Sequence, residues 1–470
     1  MDLNYILKKL NINKVINNHK VTGLFIDSRS CINNSIFFLY DSNKEYLKEA
    51  IFKGAKTIIS DYLCFTNDNI NYIKVSDVKK TMAEIAKIYY KDVSSKLNLI
   101  GFTGTNGKTS CSTIAYSFFN YIGYKSMLIG SNGIFYLDKK VTINNTTPDI
   151  LTIYKYLNIA YKLGIRYVFM EVSSIGIDQL RIHDLNFKVL LLTNLKQDHL
   201  DYHKSLDNYY NCKLIPFLSL NKDSYAVINV DDENSNRFIK HIKSNILTYG
   251  INNNSNMYGK VLEIKEEGSK FIINSFPFKT NLLGKFNIYN LLCVSSLLEI
   301  FKLSYLDYSY FLKDYKCIDG RMNKYVFDSK NIIIDYAHTY SAVKEVIEYV
   351  KEISKNDLYI IIGCGGNREK EKRYMIGKLL NDISANIILT TDNPRYEEPI
   401  DIINDIKEYI NKDIDIIINR KEAIIQTLKK LKENDYLLII GKGSEPYMDI
   451  KGIKYNYSDL GVINEYYQLC

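Results

Sequence analysis

The chain has 470 residues, too many for one compact core at roughly 150 residues per domain, so about three units are expected. Its 46% hydrophobic and 24% charged residues are those of a globular protein, and the net charge of +8 is spread along the chain without the basic runs of a nucleic-acid binder. Eight scattered cysteines with no C-x-x-C pair argue against a zinc knuckle or a disulfide framework, and the lack of a basic-then-apolar leader or of about 18 consecutive apolar residues predicts a cytoplasmic protein with no membrane insertion.

Short apolar runs alternate with longer helical patterns, the form that β-α-β units take in sequence. The first unit, 1–94, has predicted strands at 35–39 and 57–60 and ends in a helix over 81–90. The second, 95–317, opens on a strand at 97–101 and continues with strands at 167–171, 189–194 and 226–231. The Asn-rich stretch 251–256 reads as a surface loop. The third, 318–470, has strands at 332–336, 359–363, 387–391 and 437–441. Nearly every strand of the last two units runs into a polar or glycine-containing loop. Open α/β sheets bind ligands at the carboxyl ends of their strands, so these loops are expected to line a shared cleft.

Gly104-Thr105-Asn106-Gly107-Lys108-Thr109 follows a strand and precedes a helix expected to begin near Cys111. Backbone N–H groups would cradle phosphates there, with Lys108 on the β/γ oxygens and Thr109 on Mg²⁺. Phe102 stands where the strict phosphate-loop pattern has its first glycine, yet strand and helix on either side favour nucleotide binding over a plain glycine turn. Glu171 and His199 each follow a strand and could complete Mg²⁺ sites, or be structural; a histidine is an unusual partner for an ion that prefers oxygen. Asp198 and Asp201 flank His199 and could orient it, and His183 and His203 lie in the same region. Arg321, Asp335 and His338 suit nucleotide contacts or an interdomain salt bridge equally. Asp392-Asn393-Pro394-Arg395 offers a proline-fixed turn presenting an amide and a guanidinium to a carboxylate. Gly441-Lys442-Gly443-Ser444-Glu445 reads either as an anion loop with Glu445 facing an ammonium or as a tight turn.

Taken in order, these loops resemble the Mur ligase family over nearly the whole chain. The likeness rests on Asp27-Ser28-Arg29, 103–109, Asn145-Thr146-Thr147-Pro148-Asp149, Glu171-Val172-Ser173-Ser174, Thr193-Asn194, Asp198-His199-Leu200-Asp201-Tyr202-His203, Gly320-Arg321-Met322, Asp335-Tyr336-Ala337-His338-Thr339, Gly363-Cys364-Gly365-Gly366, 392–395 and 441–445. The resemblance implies three α/β domains: a UDP-substrate domain, a central P-loop ATPase-type domain with a mostly parallel sheet, and a Rossmann-like C-terminal domain receiving an amino acid. It implies a monomer acting on small molecules, with ATP as substrate and Mg²⁺ as cofactor.

By the same resemblance, Thr103, Gly104, Thr105, Asn106, Gly107, Lys108, Thr109, Asn287, Arg321, Asp335 and His338 match ATP-contact positions. Ser28, Asn145, Thr146, Thr147, Ser173, Gln179 and Arg181 match contacts to a UDP-muramoyl dipeptide. Arg368, Asp392, Asn393, Pro394, Arg395, Gly441 and Glu445 match a diaminopimelate site. Thr109, Glu171, His199 and Lys213 match metal positions, Lys213 as the carbamate (N6-carboxylysine), with Lys108, His199 and Lys213 in catalytic roles. The implied reaction passes through an acyl phosphate. Diaminopimelate has a second carboxylate that lysine lacks, so Arg395 predicts the diaminopimelate-adding type. The rivals are a lysine-adding relative, a folylpolyglutamate synthase and a non-catalytic scaffold descendant. Ile175 and Ser444 replace family histidines, Asn34 takes a common glycine position and the loop 41–43 departs from the pattern.

Overall fold

The computed structural model describes residues 1–12, 17–40, 44–62, 69–316 and 318–469. The loop 41–43 and Cys64, Cys317 and Cys470 lie outside the described residues.

Among the described residues, three large sheets carry the α/β architecture, beside a two-stranded antiparallel pair, Tyr447–Ile450 with Ile453–Asn456. The first is a parallel sheet in the order Leu24–Phe25, Ser35–Leu39, Ala55–Ser60, Asn71–Lys74. All five residues of Ser35–Leu39 are buried, as suits a strand covered on both faces. The outer strands, of two and four residues, are too short to show a period and are not evident in the sequence. The helix closing this unit starts at Val78 rather than residue 81, because the Asp77 side chain accepts from the Lys80 N–H and caps it there.

The central sheet has eleven strands. Seven run parallel in the order Met257–Lys265, Asn245–Gly250, Tyr225–Asn229, Val189–Leu192, Asn98–Thr103, Tyr167–Glu171, Ser126–Gly130. The far side of Ser126–Gly130 continues into the antiparallel Gly133–Tyr136 and Lys139–Val141, and the far side of Asn245–Gly250 into the meander Met257–Lys265, Gly268–Ile273, Phe276–Thr280. Met257–Lys265 exposes Tyr258, Lys260, Leu262 and Lys265 between more buried neighbours, so it lacks the apolar run that marks a buried strand. The first parallel strand begins at Asn98 and reaches Thr103, two residues past the sequence expectation, because Phe102 and Thr103 pair with Glu171 and Leu192 on the neighbouring strands. That pairing brings the loops after three adjacent strands together.

Helices Lys108–Tyr121 and Lys285–Phe301 cover one face of this sheet over Ile100, Phe102 and Leu191. Lys285–Phe301 is apolar nearly all round and buried over most of its length, with Lys285 and Glu299 exposed near its ends. The opposite face, through Leu99, Leu190 and Leu192, joins a core continuous with Leu3, Ile36 and Phe38 of the first unit.

The third sheet runs Asn323–Phe327, Lys330–Asp335, Tyr436–Ile440, Leu358–Ile362, Asn386–Leu389, Asp415–Ile416, parallel except at the first pair. Asp335 and Ile362 both pair with Ile440, and Ile362 with Leu389, so four strands end level and release their loops side by side. The loop 251–256 is mostly exposed, and the Asp231 carboxylate anchors it by accepting from the N–H groups of Ile251, Asn252 and Asn253. Among the described residues, no helix is long and apolar enough to cross a membrane.

Candidate active site

The glycine loop after Asn98–Thr103 is shaped by its neighbours. Gly107 has φ 86°, and a Cβ there would lie 2.6 Å from Asn290 Oδ1, so both backbone and space require glycine. With Gly107 as the cap, the helix begins at Lys108 rather than near Cys111, and the free N–H groups of its first turn belong to the loop. Asn106 N donates to Asn194 Oδ1 at 2.9 Å and Thr193 Oγ1 donates to Asn106 O at 2.5 Å, fixing the loop from the adjacent strand. Lys108 Nζ donates to Gly104 O at 2.9 Å and Thr105 O at 2.8 Å.

A cleft of 480 Å³ lies over this loop, lined by Thr105, Asn106, Gly107, Lys108 and Thr109, and from elsewhere by Asn287, Arg321, Asp335 and His338. Thr103 is fully buried and Gly104 also stands outside the lining. Arg321, Asp335 and His338 all belong to the third unit and close the cleft from that side. Asp335 accepts from the N–H groups of Met322 (2.8 Å) and Ala337 (2.6 Å), and the Arg321 guanidinium stacks 4.4 Å over the Tyr336 ring. The two halves touch where Asn106 Nδ2 donates to Ser341 Oγ and Thr339 Oγ1 donates to Asn106 Oδ1, both at 3.2 Å.

Glu171, 2% exposed, receives Thr109 Oγ1 at 2.8 Å, the Ser131 N–H at 2.8 Å and Ser131 Oγ at 3.1 Å. Ser131 has no motif of its own in the sequence. Its one signal is Gly130, where a Cβ would sit 2.2 Å from Glu171 Oε1.

Lys213, 1% exposed on helix Leu206–Leu218, donates to Gly104 O at 2.9 Å and lies 4.8 Å over the Tyr209 ring, with no carboxylate in ion-pair range among the described residues. Desolvation, then the nearby Lys108 charge, push its pKa well below the ordinary lysine value, which favours the neutral amine. His199 has φ 56°; its N–H donates to Asp198 Oδ1 at 2.9 Å and its Nε2 lies 3.4 Å from Asp198 Oδ2. Desolvation outweighs Asp198 and lowers the imidazole pKa, which favours the neutral ring. Asp198, not Asp201, makes these contacts. His203 is buried against Tyr202 and Tyr209, and His183 lies 3.9 Å from Asp184.

No three His, Cys, Asp or Glu side chains among the described residues form a cation-binding group. Thr109, Glu171 and His199 could therefore hold Mg²⁺ only with another oxygen anion, which a neutral buried amine such as Lys213 would supply if it added CO₂.

A second pocket, of 110 Å³, is lined by Arg368, Asp392, Asn393, Arg395, Gly441 and Glu445. It shares Asp198, His199, Tyr336, His338 and Arg368 with the cleft, so the two open onto each other. Arg395 has φ 52°, and its Nη1 donates to Gly366 O at 2.6 Å. Asn393 Nδ2 donates to Glu445 Oε2 at 2.8 Å. Pro394 stays out of the lining and shapes the turn, its carbonyl accepting from Glu397 N at 3.0 Å.

Two buried arginines hold these loops and carry no sequence signal. Arg373 bridges Glu397 and Asp405 at 2.8 Å each, and Arg420 pairs with Asp459 through two 2.8 Å bonds while donating to Ile440 O.

A third cavity, of 640 Å³, lies between the first and central units and is lined by Asn145, Gln179 and Arg181 with Tyr40, Lys79 and Asp149. Arg181 donates to Gln179 Oε1 at 2.6 Å and Thr147 O at 2.8 Å. Thr146 and Ser173 line the central cleft instead. Ser28 and Thr147 stand apart from the other residues expected to contact the dipeptide. Ser28 is buried with its hydroxyl on Glu49, and Thr147, fully buried, donates to Glu171 O and accepts from Ser173 N; neither lines a cavity described above. Of the departures, Ile175 and Ser444 also stand outside all three linings, and Asn34 has φ 63°, a conformation Asn tolerates next best to glycine.

Comparison with known proteins bears on the same elements. Residues 102–298 match the Mur ligase middle domain, and residues 320–443 match the Mur ligase glutamate ligase domain. A UDP-N-acetylmuramoyl-L-alanyl-D-glutamate--2,6-diaminopimelate ligase from Phocaeicola vulgatus is 36% identical, with 99% of each chain covered. One of the same name from Aquifex aeolicus is 34% identical over 99% of this chain and 95% of its own. A solved structure bearing that name superposes with a TM-score of 0.70 at 28% identity, covering 98% of both chains. On this agreement of sequence and fold, the chain belongs to the Mur ligase family of ATP-dependent, amide-bond-forming ligases.

Proposed function

We propose that the chain adds meso-2,6-diaminopimelate to UDP-N-acetylmuramoyl-L-alanyl-D-glutamate at the expense of ATP, a cytoplasmic step in making peptidoglycan precursors. The observation that carries this reading is the junction of the phosphate-loop cleft with the pocket of Arg368, Asn393, Arg395 and Glu445 through five shared residues. A carboxylate activated in one would meet an amine delivered from the other. The full-length relatives bearing this activity in their names support the choice of substrates.

In this reading residues 1–94 with the central unit hold the UDP end, 95–317 hold ATP and 318–470 hold the amino acid. Asn145, Gln179 and Arg181 contact the sugar nucleotide. The loop 103–109, with Asn287, Arg321, Asp335 and His338, holds ATP. The γ-phosphoryl group passes in line to the D-glutamate carboxylate, ADP leaves, and the amine attacks the acyl phosphate and releases phosphate. Lys108 and the loop N–H groups neutralise the charge that develops. Thr109, Glu171, His199 and Lys213 as a carbamate would hold Mg²⁺, which supplies further neutralisation of phosphate oxygens. Arg395 and Asn393 face the second carboxylate, and Glu445 the ammonium beside it. The reading takes the chain to act as a monomer.

The test is ADP release by the full chain. It should require the UDP-muramoyl dipeptide and meso-diaminopimelate together, with lysine at least about a hundredfold poorer, as unpaired buried polar groups dictate. Equal rates with lysine would overturn the assignment of the amino acid, and ADP release independent of both would overturn the ligase reading.

A further inference from the structure

Glu445 is the carboxylate that would meet an ammonium in the amino-acid pocket, yet it is not free. Its Oε2 accepts from Asn393 Nδ2 at 2.8 Å and from Lys442 Nζ at 3.3 Å. Lys442 is wholly buried, 3.9 Å from Asp392 Oδ1, with the rings of Tyr447 and Tyr457 at 5.7 and 5.9 Å. Its Nζ also donates to Asn393 Oδ1 at 3.0 Å, and the Asp449 N–H reaches the same oxygen at 2.9 Å. These two donors fix the amide so that its NH₂ points at Glu445.

We infer that Lys442 is a specificity-determining and positioning residue: its buried cation is already paired with Glu445, so the pocket accepts a side chain ending in a zwitterion and refuses one ending in a lone cation. The inference rests on the diaminopimelate reading. The far end of diaminopimelate carries an ammonium and a carboxylate, and Arg395 can take the latter. Lysine brings only the ammonium, to a carboxylate already paired with a cation that water does not screen. Two devices then reject lysine. Arg395 is left without its carboxylate, and Lys442 repels the added charge.

Norleucine separates these effects, because it lacks the far carboxylate as lysine does but carries no charge. Inhibition constants of lysine and norleucine against meso-diaminopimelate are measured on the full chain with ATP and the UDP-muramoyl dipeptide. If Arg395 alone discriminates, lysine binds better than norleucine through Glu445. With Lys442 acting as inferred, lysine binds no better than norleucine. In Lys442→Gln, which keeps a donor for Asn393 but removes the charge, lysine should gain at least about tenfold over norleucine, while Lys442→Arg keeps the wild-type order. The wild-type comparison decides the matter even if a variant does not fold. Lysine binding more tightly than norleucine to a wild-type protein that uses diaminopimelate overturns the role of Lys442 alone, as does a folded Lys442→Gln with an unchanged ratio. A wild-type protein that does not use diaminopimelate overturns the function and this inference together.

Discussion

Replacing Lys213 by methionine separates what this side chain does for the fold from what it does for chemistry. In the folded chain its Nζ makes a 2.9 Å bond to Gly104 O and has no ion pair among the described residues. Methionine has a similar length and no charge. Losing the hydrogen bond costs about 1 kcal/mol, and removing a buried polar group with little compensation returns a similar amount, so net stability should change by less than about 2 kcal/mol. Activity should fall at least about a hundredfold, because no oxygen anion can then form beside Glu171 and His199.

The pH dependence gives an independent check. The amine's folded pKa lies well below 10.5. Between that folded value and 10.5 the unfolded chain binds a proton that the folded one does not, so this group makes stability rise with pH across the window. Subtracting the urea-unfolding free energy of Lys213→Met from that of the wild type, measured from neutral pH to pH 10, should leave a difference that rises with pH. A flat or falling difference, or a variant retaining activity within tenfold, would refute the reasoning.

Gly107→Ala should abolish nucleotide binding in a calorimetric titration and lower stability by about 1–3 kcal/mol, because its Cβ meets Asn290 Oδ1 at φ 86°. Arg395→Met should raise the KM for diaminopimelate by about 10- to 100-fold while kcat falls less, since the guanidinium contacts the part of the substrate that does not react. Asn106→Ala removes the contacts to Thr339 and Ser341 that bridge the two halves of the cleft, and scattering should then show a more open average shape. The same method should show the wild type closing about the boundaries near residues 94 and 318 on adding nucleotide and substrate.

Much of the α/β architecture was legible because its buried strands are unbroken apolar runs ending in glycine or polar loops. Tyr167–Glu171 and Ser35–Leu39 agree with the sequence to the residue. The meander 257–280 was not, since exposed residues interrupt each of its strands and leave no fully buried run. Lys108, Glu171 and His199 could be picked out because each lies at or beyond the carboxyl end of a strand. Lys213 sits mid-helix, where only family likeness marks it, and the burial that alters its chemistry is a tertiary property. Ser131, Arg373, Arg420 and Lys442 act through partners far off in the chain, as with Arg420 and Asp459, and no local pattern encodes such pairs. Ser28 shows the converse: a motif position whose side chain turns inward to Glu49.

The most direct test of the account follows oxygen. With UDP-muramoyl dipeptide labelled with ¹⁸O in the D-glutamate carboxylate that is ligated, the full chain, ATP and meso-diaminopimelate should yield phosphate carrying one ¹⁸O per amide formed. Unlabelled phosphate accompanying amide formation would contradict activation through an acyl phosphate, and labelled phosphate without amide would contradict delivery of the amine from the pocket of Arg395.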